Sequence, residues 1–136
     1  MNGFPLKFYE ADGPFYDGEV EMVVVPTADG EYEVCAHHEN VVVAIATGTM
    51  KYRPKDGETL YAAVSSGVLR MEKNECTILV DSAEHPEEID EARALAQKEE
   101  AIERMLQKKS LQEYYLAEAE LKRAMTRLKL KGNMIH

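Results

Sequence analysis

The hydrophobic rhythm of this chain changes once, between Ala83 and Pro86. Upstream, short apolar runs alternate with turn residues. Downstream, two charged segments with helical spacing run without Pro or Gly until Gly132. A period of two gives way to a period near 3.6, and one pattern cannot serve both strand and helix. The chain is therefore expected to be α+β, with a sheet built first and helices second. Turn signals at Asp12-Gly13-Pro14, Asp17-Gly18, Asp29-Gly30, Lys55-Asp56-Gly57, Ser66-Gly67 and Lys73-Asn74 punctuate the first part. They recur roughly every 8–12 residues, which predicts an antiparallel β-sandwich or flattened barrel of about ten strands. Asp17-Gly18 in particular predicts a hairpin after Phe15-Tyr16, and Pro26 an end to the apolar run Met22–Val25.

The boundary places a β domain at residues 1–84 and an antiparallel two-helix hairpin at 85–136. Pro86 suits a first helical position, and Glu87, Glu88, Asp90 and Glu91 suit the positive end of a helix dipole. Ile89, Ala92, Ala96, Ile102 and Met105-Leu106 are expected to form a thin, Ala-rich stripe on the first helix. Lys108-Lys109-Ser110 reads as the bend, with Ser110 as N-cap and Glu113 completing a capping box. Tyr114, Ala117, Leu121, Ala124 and Leu128 follow at 3-4-3-4 spacing, a coiled-coil-like seam, and Gly132-Asn133 is expected to end the helix.

Charge excludes several classes of function. The chain has 136 residues and a formal net charge of −9. Residues 1–84 hold 6 Lys and Arg against 15 Asp and Glu, and the remainder is balanced. An acidic body is a poor partner for nucleic acid or anionic lipid. The second helix nevertheless ends in a basic cluster: Lys122, Arg123, Arg127, Lys129 and Lys131, with no acid after Glu120. Cys35 and Cys76 lie far apart in apolar runs and read as buried free thiols of a reducing compartment. The longest wholly apolar run, Val41–Ala46, is much shorter than the ~20 residues a membrane helix needs. Without a basic, apolar start to suggest a leader, the chain is expected to be cytoplasmic.

Catalytic constellations are missing. No serine sits in a nucleophile elbow and no Gly-rich loop is placed to cradle phosphate. Glu19 and Glu21 share a strand face as solvent-facing acids. His37 and His38 are adjacent, so in a strand they would point to opposite faces, and no other ligand is spaced to complete a metal site with them. An enzyme is thus disfavoured.

Taken in order, Gly18–Val23, Asp29-Gly30-Glu31, His38, Ala63–Leu69, Thr77–Glu84, Ile89–Ala94 and Ala119–Leu128 resemble the epsilon subunit of the bacterial F-type ATP synthase across nearly the whole chain. The resemblance implies a β-sandwich followed by a helical hairpin. It also implies a place in the rotating central stalk of a complex that makes ATP from a proton gradient. The sandwich would bind the gamma subunit and rest on the c-subunit ring, through Glu31 and His38. The hairpin would fold against the sandwich, or extend towards the alpha and beta subunits and block ATP hydrolysis. Such a protein would lie peripherally on the cytoplasmic face of the plasma membrane, needing no cofactor.

Two further sites follow from the resemblance, each with a plain alternative. Ile89-Asp90-x-x-Arg93-Ala94 is similar to an ATP-binding signature of some bacterial epsilon subunits, to which Glu84, Arg123 and Arg127 would contribute. Glu100 stands where tight binders have another Arg. Either ATP is a weak regulatory ligand here, or Asp90 and Arg93 form an ordinary i,i+3 helix pair worth ~0.3 kcal/mol. Lys122, Arg123, Arg127 and Lys129 either meet an acidic segment of the beta subunit or are a solvated face complementing the helix dipole. The rival to the stalk reading is a free-standing adaptor or nucleotide-sensing module with a helical arm.

Overall fold

The structure, a computed structural model, describes residues 2–107 and 109–135. Lys108, part of the expected bend, lies outside the described residues. The chain divides into two compact units, Met1–Glu84 and His85–His136.

The first unit is a nine-stranded sheet: β1 (Phe4–Glu10), β2 (Gly13–Thr27), β3 (Gly30–Cys35), β4 (Val41–Ile45), β5 (Gly48–Pro54), β6 (Leu60–Val64), β7 (Gly67–Glu72), β8 (Glu75–Val80) and β9 (Ala83–Glu84). The strand order is β4-β7-β8-β1-β2-β5-β6-β9, with β3 also paired to β2. Ile45, Val64 and Ala83 come from strands at opposite ends of this order, yet they share one buried cluster with Phe4, Phe8, Val23, Tyr52, Leu69 and Ile78. An open sheet gathers both of its ends into one core only by doubling over. The result is two layers facing across apolar side chains, a sandwich. The Ala46 N–H, which donates to the Pro26 carbonyl at 2.9 Å, ties the end of β4 to β2 across the fold.

β2 makes the doubling possible. Its first half pairs with β1, its middle with β5 and its last part with β3. A bulge between Val20 and Met22 leaves Glu21 as the extra residue opposite Arg53 and Pro54, where a long strand bends. Glu21 is held there by the Arg53 guanidinium at 3.1 Å.

Three expectations for this unit need correction. The sheet is not wholly antiparallel, because β1 runs parallel to β8 from Leu6↔Cys76 to Glu10↔Val80. Alternation fixes which side chains face inward but carries no information on strand direction. Asp17-Gly18 is not a hairpin turn. The chain reverses at Ala11-Asp12, closing on Glu10↔Gly13 with Gly13 at φ 141°, and β2 passes through Gly18 unbroken. Gly18 is small for a different reason: a Cβ there would stand 2.9 Å from the Tyr16 hydroxyl oxygen. Pro26 does not end β2, which continues to Thr27 and pairs Pro26 with Glu31. The other turns fall where expected. Lys73 and Asn74, at φ 50° and 62°, make the tight two-residue connection of β7 to β8.

In the second unit a short 3-10 turn, Pro86–Glu88, precedes α1 (Glu91–Gln107) and α2 (Leu111–Ile135). Pro86 therefore opens the turn and not the long helix. Asp90 is the true N-cap of α1: its Oδ1 accepts the Arg93 N–H at 3.1 Å, and its carbonyl accepts the Ala94 N–H at 2.9 Å. Ser110 caps α2 as expected, its Oγ accepting the Glu113 N–H at 3.0 Å. Gly132-Asn133 does not stop α2, which runs on to Ile135. The seam of α2 is as expected, with Ala117 and Ala124 buried and Tyr114, Leu121 and Leu128 partly so. That of α1 is not. Of the expected stripe only Ile89, just before the helix, is buried and Met105 half-buried; Ala94 and Ala101, seven apart, are the buried residues of α1, while Ala92, Ala96, Ile102 and Leu106 are exposed. Buried alanines on both helices let two backbones approach with little side chain between them.

Candidate functional site

Beside the alanine seam the two helices leave a polar groove. At 100° per residue, Gln97, Glu100 and Arg104 fall on one flank of α1, and Glu120, Arg123 and Arg127 on the matching flank of α2. Gln97, Glu100, Glu120, Arg123 and Arg127 line a cavity of about 350 Å³, within the range that ligand sites occupy. Side-chain contacts cross it. The Arg127 Nη1 donates to Gln97 Oε1 at 2.7 Å, and Arg104 is ion-paired with Glu120. Arg123 and Glu100 line the cavity without a hydrogen-bond or ion-pair partner among the described residues. The groove thus presents guanidinium donors for an anion, with one carboxylate opposing them.

The residues singled out from the sequence are distributed unevenly around this cavity. Arg123 and Arg127 are in its wall. Arg93 lies on the same flank of α1, one turn before Gln97, and is exposed. Ala94 is buried in the seam and Ile89 is buried beside the 3-10 turn. In place of the expected Asp90–Arg93 side-chain pair, the Asp90 Oδ1 accepts the Arg93 backbone N–H, and no ion pair joins the two side chains among the described residues. Glu84 belongs to the sheet unit, paired in β9 with Ala63. Gln97, Arg104 and Glu120 were missed. Their 3- and 4-residue spacing from Glu100 and Arg123 was the available signal, hidden while the seam was assigned to the wrong residues of α1.

The basic cluster of α2 is likewise split. Lys122 and Lys129, seven apart, share an exposed face on which Lys122 lies 3.9 Å from Glu118. Arg123 and Arg127 face the cavity instead, and the Lys131 Nζ donates to the Pro86 carbonyl at 3.3 Å. Among the described residues no helix is long and apolar enough to cross a membrane.

In the sheet unit, His37 and His38 lie in the turn after β3 and not in a strand, with His37 at φ 63°. Asn74 Oδ1 accepts the His37 N–H at 2.7 Å and Asn40 Oδ1 accepts the Lys73 N–H at 3.0 Å, so the two turns are buttoned together. The His38 ring is fixed at both nitrogens, Nε2 to the Tyr32 hydroxyl at 3.2 Å and Nδ1 to the Glu39 carbonyl at 2.8 Å. The Glu39 carbonyl can only accept, so Nδ1 carries the hydrogen of that contact. Glu31 is exposed at the start of β3, next to Tyr32.

Residues 4–86 match the family model of the ATP synthase delta/epsilon chain beta-sandwich domain, and residues 87–132 that of its long alpha-helix domain. The chain is 42% identical over 130 residues to the ATP synthase epsilon chain of Caldicellulosiruptor bescii, covering 96% of this chain and 94% of that one. It is 46% identical over 128 residues to that of Caldanaerobacter subterraneus subsp. tengcongensis, covering 93% and 92%. In fold it is similar to a chain of the Euglena gracilis mitochondrial ATP synthase, with a TM-score of 0.81 at 21% identity, covering all of this chain and 83% of that one. A sandwich and a helical hairpin that each match in order, over nearly the whole length of both proteins, leave one conclusion: the chain belongs to the ATP synthase epsilon chain family.

Proposed function

We propose that the chain is a non-catalytic, regulatory subunit in the central stalk of a bacterial, proton-driven ATP synthase, lying peripherally on the cytoplasmic face of the plasma membrane. The sheet unit is the mount. It binds the gamma subunit and meets the c-subunit ring through Glu31 and the fixed ring of His38. The helical unit is a brake on ATP hydrolysis that extends towards the alpha and beta subunits, where Lys122, Arg123, Arg127 and Lys129 face an acidic segment. ATP is a regulatory ligand that favours the folded hairpin through Arg123 and Arg127, since a ligand shifts an equilibrium only by unequal affinity for its two states.

The observation that carries this reading is the seam of the hairpin. Four of its buried residues, Ala94, Ala101, Ala117 and Ala124, are alanines, which bury little apolar surface each, and Ile89 and Leu130 are the large side chains buried with them. A hairpin held so lightly is suited to change partners. Mixed with gamma, the chain is expected to elute as a tight one-to-one complex on gel filtration. In a reconstituted synthase, charge reversal at Lys122 and Lys129 is expected to relieve inhibition of hydrolysis. Separate elution, or unchanged inhibition, refutes the corresponding half of the proposal.

A further inference from the structure

Two turns at one end of the sheet unit are fastened to each other by side chains. β4 pairs with β7 from Val41↔Met71, so the connection of β3 to β4 and the turn of β7 to β8 lie side by side. That connection runs from Ala36 to Asn40 without Gly or Pro. It begins with a turn closed by the His38 N–H, which donates to the Cys35 carbonyl at 3.2 Å. The third residue of this turn, His37, takes φ 63°, a left-handed conformation where Gly or Asn is usual. Such a conformation persists when the surroundings hold it. Here the hold comes from the other turn, where Asn74 Oδ1 accepts the His37 N–H at 2.7 Å. The fastening is reciprocal, since Asn40 Oδ1 accepts the Lys73 N–H at 3.0 Å. The next side chain along is the His38 ring, edge-on to Tyr32 with centroids 5.7 Å apart.

We infer that Asn74 and Asn40 are positioning residues for the contact with the c-subunit ring: they hold the backbone at His37-His38 so that the His38 ring meets its partner already in place. This rests on the reading above that the sheet unit meets that ring through Glu31 and His38, and names what orders the surface. A loop ordered before association loses less conformational freedom on binding. The turn of β7 to β8 is a firm anchor for it, because both of its strands are paired along their length, from Gly67↔Val80 to Glu72↔Glu75.

The test uses the full-length chain in complex with gamma, with detergent-solubilised c-subunit ring as the probe. Asn74→Gly removes the amide and keeps the left-handed backbone at that position unstrained. It is expected to speed exchange of the His37 amide at least about tenfold while the strands keep wild-type protection, and to weaken binding of the c-ring at least about fivefold. Asn40→Ala is expected to act in the same direction. Asn74→Asp keeps an acceptor oxygen and is expected to hold affinity within about threefold of wild type. Wild-type affinity in Asn74→Gly and Asn40→Ala, with binding weakened by His38→Ala, overturns the positioning role and leaves the contact reading standing. So does a loss in Asn74→Asp as large as that in Asn74→Gly, since the acceptor would then be irrelevant. Binding untouched by His38→Ala and Glu31→Gln together removes the contact reading and this inference with it.

Discussion

Single residues show where local chemistry was readable and where it was not. Asp90 stood out in the sequence for a carboxylate at a helix start, and it does stand at one. Its partner is a backbone N–H and not a guanidinium, and only the position of the helix start, five residues beyond Pro86, decides between the two. Asp90→Ala should therefore cost about 1 kcal/mol of helix stability through loss of the cap, whereas Asp90→Asn should cost only a few tenths. Thermal melts followed at 222 nm would measure both, and an ion-pair role would make the two variants alike. Of the two thiols expected to be buried, Cys35 is only half-buried, whereas Cys76 was legible from its apolar run. It is buried, and burial pushes its thiol up to about 12 from an ordinary value of 9.0. An alkylating reagent at pH 8 should leave Cys76 unmodified in the native protein and label it in denaturant. The unfolded chain ionises this thiol near pH 9 and the folded chain does not, so unfolding releases a proton above that pH. The stability contributed by the buried thiol is complete below pH 9 and falls as pH rises towards 12, by up to about 1.4 kcal/mol per pH unit. Denaturant midpoints between pH 8 and 10.5, compared with Cys76→Ala, would separate this slope from that of other groups.

At the scale of elements, the sequence revealed strands and turns well and the helix faces poorly. Alternation set the inward residues of the sheet, and Asn, Asp and Gly marked its real turns at Asp29-Gly30, Asp56-Gly57 and Lys73-Asn74. The errors have physical causes. Gly18 carries the same letters as a turn but serves a close aromatic approach, and the parallel β1–β8 pair leaves no trace in a period of two. In α1 the large apolar residues drew attention, yet Ile102 and Leu106 are exposed. Two helices whose seam is alanine are too close to admit them. That closeness makes a prediction. Ala117→Leu forces a large side chain into the seam and should destabilise the helical unit by about 1–3 kcal/mol, with the sheet unit unaffected. Met125→Leu, at a residue half-exposed on the same helix, should change stability by less than about 0.5 kcal/mol. Hydrogen exchange resolved by segment is the appropriate readout, because it reports each unit separately. Equal loss of protection in β1–β9 would mean that the two units share one cooperative transition.

For the whole molecule the question is whether the mount needs the arm. All of the large apolar cluster of the sheet unit, from Phe4 to Ala83, is contributed by residues before the boundary. The edge strand β9 is closed within that unit too. Glu10 Oε2 accepts the Ala83 N–H at 2.8 Å, β9 pairs with β6 through Ala63↔Glu84 and Val64↔Ala83, and the buried Ser65 hydroxyl accepts the Ser82 N–H at 2.8 Å. Gly67 sits at this crossing, where a Cβ would come 2.7 Å from the Val80 Cα, so the two chain segments interlock closely without help from residues beyond 84. A chain ending at Glu84 should accordingly unfold in one cooperative denaturant transition with its sheet spectrum intact. If the helical unit is the brake, the same truncated chain should still co-elute with gamma and should support hydrolysis at an uninhibited rate in the reconstituted complex. The two measurements bear on different claims. Loss of cooperative folding would show that the sheet core is incomplete at Glu84. A folded, gamma-bound, truncated chain that inhibits hydrolysis as well as the full-length one would place the brake in the sheet unit and leave the helical unit without its proposed role.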